Sequence, residues 1–194
     1  LTTSNAPTIM ANSRQKHARI LRDFRKVHRY TGALLFIIFL FIALTGISLG
    51  LKKNTGDMIL PKTRTGTTSQ LTDWLSLAEL ESKVYRHLDS IGKPEVTLDR
   101  VDIRKDKGIA KFIFKEEVLE VQVNGANGKI LNTGKRYSDL LEDLHDGSYV
   151  DDLFGIPHGI FKIIYTMVSG LALLIFTITG FWLWYGPKYM KRLR

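Results

Sequence analysis

Cysteine is absent from all 194 residues, which excludes disulfides, thiolate metal sites and the Cys-x-x-Cys-His attachment of c-type haem. Any domain in this chain must therefore stand on its own hydrophobic core. Acid is scarce toward both ends. Asp23 is the one acidic residue before Arg29, and Lys188, Lys191, Arg192 and Arg194 follow one another with no acid among them. Charge of either sign is missing from two long stretches, Tyr30 to Leu51 and Ile163 to Pro187. The strand-like middle also lacks a nucleophile, a base and an orienting group at catalytic spacing, and no EF-hand spacing occurs.

The two uncharged stretches dominate what is present. At about 1.5 Å per residue they make helices of roughly 33 and 37 Å, enough to cross a hydrocarbon core of about 30 Å. Arg14, Lys16, Arg19, Arg22, Arg25, Lys26 and Arg29 precede the first, the basic cluster from Lys188 follows the second, and charges between the spans nearly cancel. Lysine and arginine concentrate on the cytoplasmic side, so both termini are expected inside and the middle outside. The formal net charge of +9 then reflects topology, and nucleic acid is not an expected partner. The first apolar run is longer than a signal-peptide core, and Ser48-Leu49-Gly50-Leu51-Lys52-Lys53 offers no small-x-small cleavage site, which favours an uncleaved anchor.

The expected organisation is a basic cytoplasmic tail over 1–29, a first spanning helix over 30–51, an extracytoplasmic domain over 52–157, a second spanning helix over 158–186 and a basic tail over 187–194. Residues before Met10 read as a polar tail or an upstream extension. Within the outer domain, Ser76-Leu77-Ala78-Glu79 forms a capping box, with Leu75 and Leu80 at staple positions. Leu77, Leu80, Val84, Leu88 and Ile91 recur at helical spacing until Gly92 and Pro94 stop the helix. Strand-like runs follow at 101–104, 109–114, 118–123 and 129–131, with turns at Lys107-Gly108 and Asn127-Gly128. One helix face on one face of a small antiparallel meander is the expected packing. A short amphipathic segment, 138–144, and a break at Asp146-Gly147-Ser148-Tyr149 come next, and Pro157 suits the first position of the second spanning helix.

The two spans echo each other: Leu44-Thr45-Gly46 near the end of the first matches Ile178-Thr179-Gly180 near the end of the second. Together with His28-Arg29-Tyr30-Thr31-Gly32, Leu144-His145-Asp146-Gly147 and Thr179-Gly180-Phe181-Trp182-Leu183-Trp184, these motifs resemble the PepSY-associated transmembrane family. The helix plus meander between them resembles a PepSY domain, and the likeness runs from about residue 20 to 190. The fold class it implies is an α+β membrane protein with two spans flanking an extracytoplasmic PepSY-like domain, set in a bacterial inner membrane. Larger relatives include iron-regulated membrane proteins and ferrisiderophore reductases, which have four spans and bind b-type haem through histidines. With two spans, the same activity needs a homodimer or other membrane subunits.

The resemblance makes His28, at the inner end of the first span, and His145, at the outer face, candidate haem b ligands. The alternative for His28 is a polar interfacial residue anchoring the helix with Arg29 and Tyr30; for His145 it is a solvated residue ending a short helix. His158 is a further candidate for the outer site, where His145 and His158 are also candidate metal ligands. In the first turn of a helix, the macrodipole would keep its imidazole neutral. His28 and His158 lie at opposite ends of spanning helices and cannot share one iron. His17 and His87 read as bystanders, one in the basic tail and one on the polar side of the capped helix. Gly32, Gly46, Gly170 and Gly180 permit close approach, either of a flat macrocycle or of another helix. Asp139, Glu142, Asp143, Asp146, Asp151 and Asp152 could attract hard cations or simply form a solvated acidic loop. Phe181, Trp182, Trp184 and Tyr185 suit an interfacial aromatic belt, or the edge of an electron route.

Two functional readings follow. One is a haem-binding electron-transfer or ferric-reductase-like subunit in the bilayer. The other is an anchored PepSY module that docks or regulates a protein partner, such as a peptidase, without redox chemistry.

Overall fold

The computed structural model describes residues 6–115 and 117–192, with side chains described over 15–115 and 117–191. The chain forms two units: Thr45–His145, and a second comprising the residues up to Leu44 with those from Asp146 onward. The second unit holds two helices long and apolar enough to cross a membrane. Helix α1 runs Ala6–Gly50, reaching into the other unit, and α5 runs Ile160–Arg192.

The 45 residues of α1 amount to about 68 Å of helix, more than twice the hydrocarbon thickness. The basic segment before Tyr30 is thus a helical continuation of the first span from Ala6 onward, whereas the sequence suggested a tail there; residues 1–5 of that segment lie outside the described residues. The second basic segment is helical too, since α5 continues through Pro187 to Arg192.

Small residues set how closely α1 and α5 approach. Leu21 is buried against Gly186, where an added Cβ would come within 2.6 Å of its Cδ2. A Cβ on Gly32 would meet Phe176 at 2.8 Å. Between these contacts Phe24 faces Trp182, and further toward the N-terminus His17 meets Tyr189 edge-on. Antiparallel pairing explains the order, because positions rising along α1 meet positions falling along α5. Most of both apolar stretches is left uncovered by the rest of the chain.

In the Thr45–His145 unit, α2 (Leu77–Ser90) starts at the expected capping box, with Ser76 and Glu79 bonding reciprocally to each other's backbone amides. Strands β1 (Leu98–Arg104), β2 (Ile109–Phe114), β3 (Leu119–Asn124) and β4 (Ile130–Lys135) form an antiparallel meander in that order. Gly108 and Gly128 adopt positive φ at the expected turns, a region open to glycine at little cost. Leu80, Val84 and Leu88 pack on Ala110, Phe112, Phe114, Leu119, Val121 and Val123. Leu77 and Ile91 were expected beside them but are 53% and 44% exposed; they fall on the first turn and the cap, beyond the middle of the sheet.

The opposite sheet face is covered as well, which periodicity did not announce. Segment 59–68 crosses it, held by Arg64 N–H donating to Gln122 Oε1 at 2.7 Å, Gln122 Nε2 donating to Lys62 O, and Gly66 N–H donating to Lys107 O. Beneath it Lys111 donates to Glu120 at 3.0 Å, while Gln122 and Arg136 donate to the same carboxylate.

Helix α3 (Tyr137–Asp146) ends at Gly147, whose φ of 85° reverses the chain, and α4 (Ser148–Phe154) follows at once. The sequence suggested only a break here. Pro157 belongs to a short 3₁₀ turn, Pro157–Gly159, and not to α5. His158 has φ 61° and ψ 14° there. It is therefore outside α5, not in its first turn as the sequence suggested. The first turn of α5 is capped from α4 instead: buried Asp151 accepts from Phe161 N–H through Oδ1 and from Lys162 N–H through Oδ2, each at 2.9 Å.

Candidate functional site

Two histidines make the same contact in different places. His28 on α1 has Nδ1 at 2.9 Å from Thr179 Oγ1 on α5. His145 on α3 has Nδ1 at 2.8 Å from Thr45 Oγ1 on α1. In both cases the histidine meets the threonine of a Thr-Gly pair, and the glycine makes room for the ring. A Cβ on Gly180 would lie 3.4 Å from His28 Cε1, and one on Gly46 would lie 3.4 Å from His145 Cε1. Both threonines are buried, Thr45 at 6% and Thr179 at 5% exposure, while both histidines are partly exposed.

His28 is further fixed by Phe176, whose ring stacks on it with centroids 3.8 Å apart. One turn on along α1, the same Phe176 fills the space at Gly32. These contacts come from helical spacing: positions 176, 179 and 180 share one face of α5, and positions 28 and 32 share one face of α1.

Neither Nε2 has a hydrogen-bond partner among the described residues. Each ring thus uses one nitrogen for its seat and leaves the other directed to whatever lies beside it. Imidazole held through one nitrogen and open at the other is the arrangement of a metal-ligating histidine. The donor chemistry at His28 and at His145 would therefore suit a metal or haem iron, each ring offering one uncommitted imidazole nitrogen.

The glycines expected to admit another helix or a macrocycle divide accordingly. Gly32, Gly46 and Gly180 are approached by side chains of this chain itself, and Gly170 has nothing within 4 Å. His158 lacks a comparable seat: its ring is exposed and has no hydrogen-bond partner among the described residues. His17 packs edge-on against Tyr189. His87 is not on a free polar face, because its Nε2 bonds to Thr133 Oγ1 at 2.9 Å and ties α2 to β4.

The carboxylates near His145 and His158 in sequence are engaged elsewhere. Asp139 pairs with Arg136 and Arg100, Glu142 with Lys52, and Asp146 with Lys162 and Ser148. Burial pushes the Asp139 carboxyl up, but hydrogen bonds from Arg136 and Arg100 outweigh it and hold the group below the usual carboxylate range. Asp146 is shifted the same way, burial again being outweighed, by Lys162 and Ser148. Among the described residues no group of three or more histidine and carboxylate side chains is placed to hold a metal ion.

At the far end of α5 the aromatic cluster is real. Phe181 stacks on Tyr185 with rings 8° from parallel, Trp182 leans on Tyr185, and the Lys188 ammonium sits 3.7 Å from the Trp184 ring centre. Amphipathic rings beside a lysine suit a membrane interface.

Sequence reasoning found both histidines and both Thr-Gly pairs but did not join them. The signal was present: a Thr-Gly motif near the end of each span, with His28 near the start of the first span and His145 shortly before the second. Residues 6–186 match the family described as the PepSY-associated TM region. Neither the curated proteins nor the solved structures provide a match.

Proposed function

As the chain belongs to the PepSY-associated TM family, we propose that it is a membrane-embedded haem-binding electron-transfer subunit of ferric-reductase-like type. The observation that carries this reading is the repeated seat: two histidines, each bonded through Nδ1 to a buried threonine, each beside a glycine, each with Nε2 uncommitted.

His28 and His145 would hold b-type haem, which supplies one-electron redox chemistry at its iron. The chain's part is to orient the two imidazoles through Thr179 and Thr45. Phe176 limits the swing of His28. Since no other histidine contacts His28 or His145 among the described residues, a second copy or another membrane subunit would complete each site.

The reading is tested by titrating detergent-purified protein with ferric protoporphyrin IX while following absorption and particle mass. Saturable uptake, with a mass above that of one chain, is expected. A featureless titration overturns the proposal, and capture of a partner by the Thr45–His145 unit in its place would favour the docking-module reading.

In this reading the protein sits in a bacterial inner membrane with both ends in the cytoplasm, which the basic ends and the nearly neutral middle support. A reporter fused after Arg194 is expected to read cytoplasmic, and one inserted between Gly125 and Ala126 extracytoplasmic. The reverse pair of signals would invert the inner and outer assignments.

A further inference from the structure

We infer that Thr179 and Thr45 are positioning residues that fix the tautomer and ring plane of His28 and His145, so that the Nε2 lone pair of each is the one presented for ligation. The inference deepens the haem-binding reading and rests on it for its purpose, although the tautomer itself is a property of the haem-free chain.

The argument is clearest at Thr179. Its hydroxyl has one proton, and that proton is directed back along α5: Oγ1 lies 2.7 Å from Ile175 O and 3.1 Å from Phe176 O. A carbonyl can only accept, so the hydroxyl donates there. Toward His28 Nδ1, at 2.9 Å, the same oxygen can then offer only a lone pair. Nδ1 must therefore carry the hydrogen. A neutral imidazole has a single N–H, so Nε2 is left unprotonated and able to bind a metal.

Thr45 occupies the corresponding place in α1. Threonine inside a helix characteristically directs its hydroxyl proton to the carbonyl three or four residues back. With Oγ1 at 2.8 Å from His145 Nδ1, we extend the same division of roles to this pair by its likeness to Thr179 and His28. Burial of both threonines removes water as a competing partner and makes the bond directive.

The neighbouring glycines make the seat flat. A Cβ at position 46 or 180 would lie 3.4 Å from Cε1 of the ring, in ordinary contact, so the glycine leaves the ring free to lie close along the helix. Thr-Gly thus acts as a unit in which one residue chooses the nitrogen and the next makes room for the ring. A plain interhelical hydrogen bond would need neither a defined proton direction nor the adjoining glycine.

The test uses the full chain with ¹⁵N-labelled histidine, purified free of haem in detergent. Wild-type His28 and His145 are expected to show protonated Nδ1 and unprotonated Nε2. Thr179→Val should release His28 alone to the Nε2–H form, and Thr45→Val should release His145 alone. Thr179→Ser and Thr45→Ser should keep the wild-type signals. On titration with ferric protoporphyrin IX, the valine variants should bind about 10- to 100-fold more weakly, the usual cost of losing the partner that orients a ligating histidine, with serine restoring most of the loss. Wild-type rings in the Nε2–H form, or valine variants with unchanged signals and affinity, overturn the inference. If a valine variant does not fold, the wild-type signals and the serine pair still decide. Wild-type protein with the expected tautomers but no haem uptake supports the seat and defeats the haem-binding reading, so the two failures are distinct.

Discussion

In the proposed reading, His28→Ala is expected to remove one population of bound haem and leave another, and His145→Ala to do the reverse, with the double variant retaining none. This is the largest functional effect expected of any substitution here, because a methyl group could not replace an imidazole that would hold the haem, and ligand identity is a main determinant of haem occupancy and potential. The two losses are independent because the histidines are seated on different threonines, Thr179 and Thr45. His17→Ala and His87→Ala should leave the spectrum unchanged, since one ring packs on Tyr189 and the other bonds to Thr133. His158→Ala should also leave both populations in place, as its exposed ring has no seat. Reduced-minus-oxidised difference spectra of the purified variants check this. Loss of all haem from either single variant would show one shared site in place of two.

The second large effect concerns stability. Glu120→Leu should destabilise the Thr45–His145 unit by about 3–5 kcal/mol, the usual result of removing one partner from a buried ion pair. Glu120 is fully buried and accepts from Lys111, Gln122 and Arg136. Arg136 keeps Asp139 as a second carboxylate, but the Lys111 ammonium, 3% exposed in its side chain, would be stranded under the segment that covers it. Against a typical domain stability of about 5–15 kcal/mol, that loss is severe. Adding Lys111→Met should recover most of it, because two well-packed apolar groups can replace a buried ion pair at little net cost. Thermal unfolding followed by circular dichroism measures both steps. A double variant no more stable than Glu120→Leu alone would mean that the carboxylate matters through Gln122 and the covering segment instead.

Features set by local chemistry were readable from the sequence. The spans follow from uninterrupted apolar length, α2 from its capping box, and the four strands from alternation punctuated by Lys107-Gly108 and Asn127-Gly128. What escaped was held together by contacts without local signature. Segment 59–68 has no periodicity, and it takes its shape from backbone bonds to Gln122 and Lys107. Helix α4 is a short helix whose entry at Gly147 looks like a simple stop. The start of α5 was misplaced because Pro157 imitates a helix opening, whereas the capping group is Asp151, nine residues before the helix begins.

The site shows the same division. The histidines and the Thr-Gly pairs were each visible as motifs, but their pairing spans 151 residues in one case and 100 in the other. No spacing rule covers such distances; the antiparallel meeting of α1 and α5 settles the first. The acidic run near His145 shows how little composition says about pairing. Composition allowed either a cation site or a solvated loop, and neither reading foresaw that Asp139, Glu142, Asp146 and Asp151 are each bound to a named partner.

The most direct test of the central claim is the pyridine haemochrome assay, with a reduced-minus-oxidised difference spectrum, on the full chain purified from haem-replete cells beside its His28→Ala/His145→Ala double variant. The account predicts reducible b-type haem in the wild type and none in the double variant. A wild type without haem, or a double variant that retains it, would contradict it.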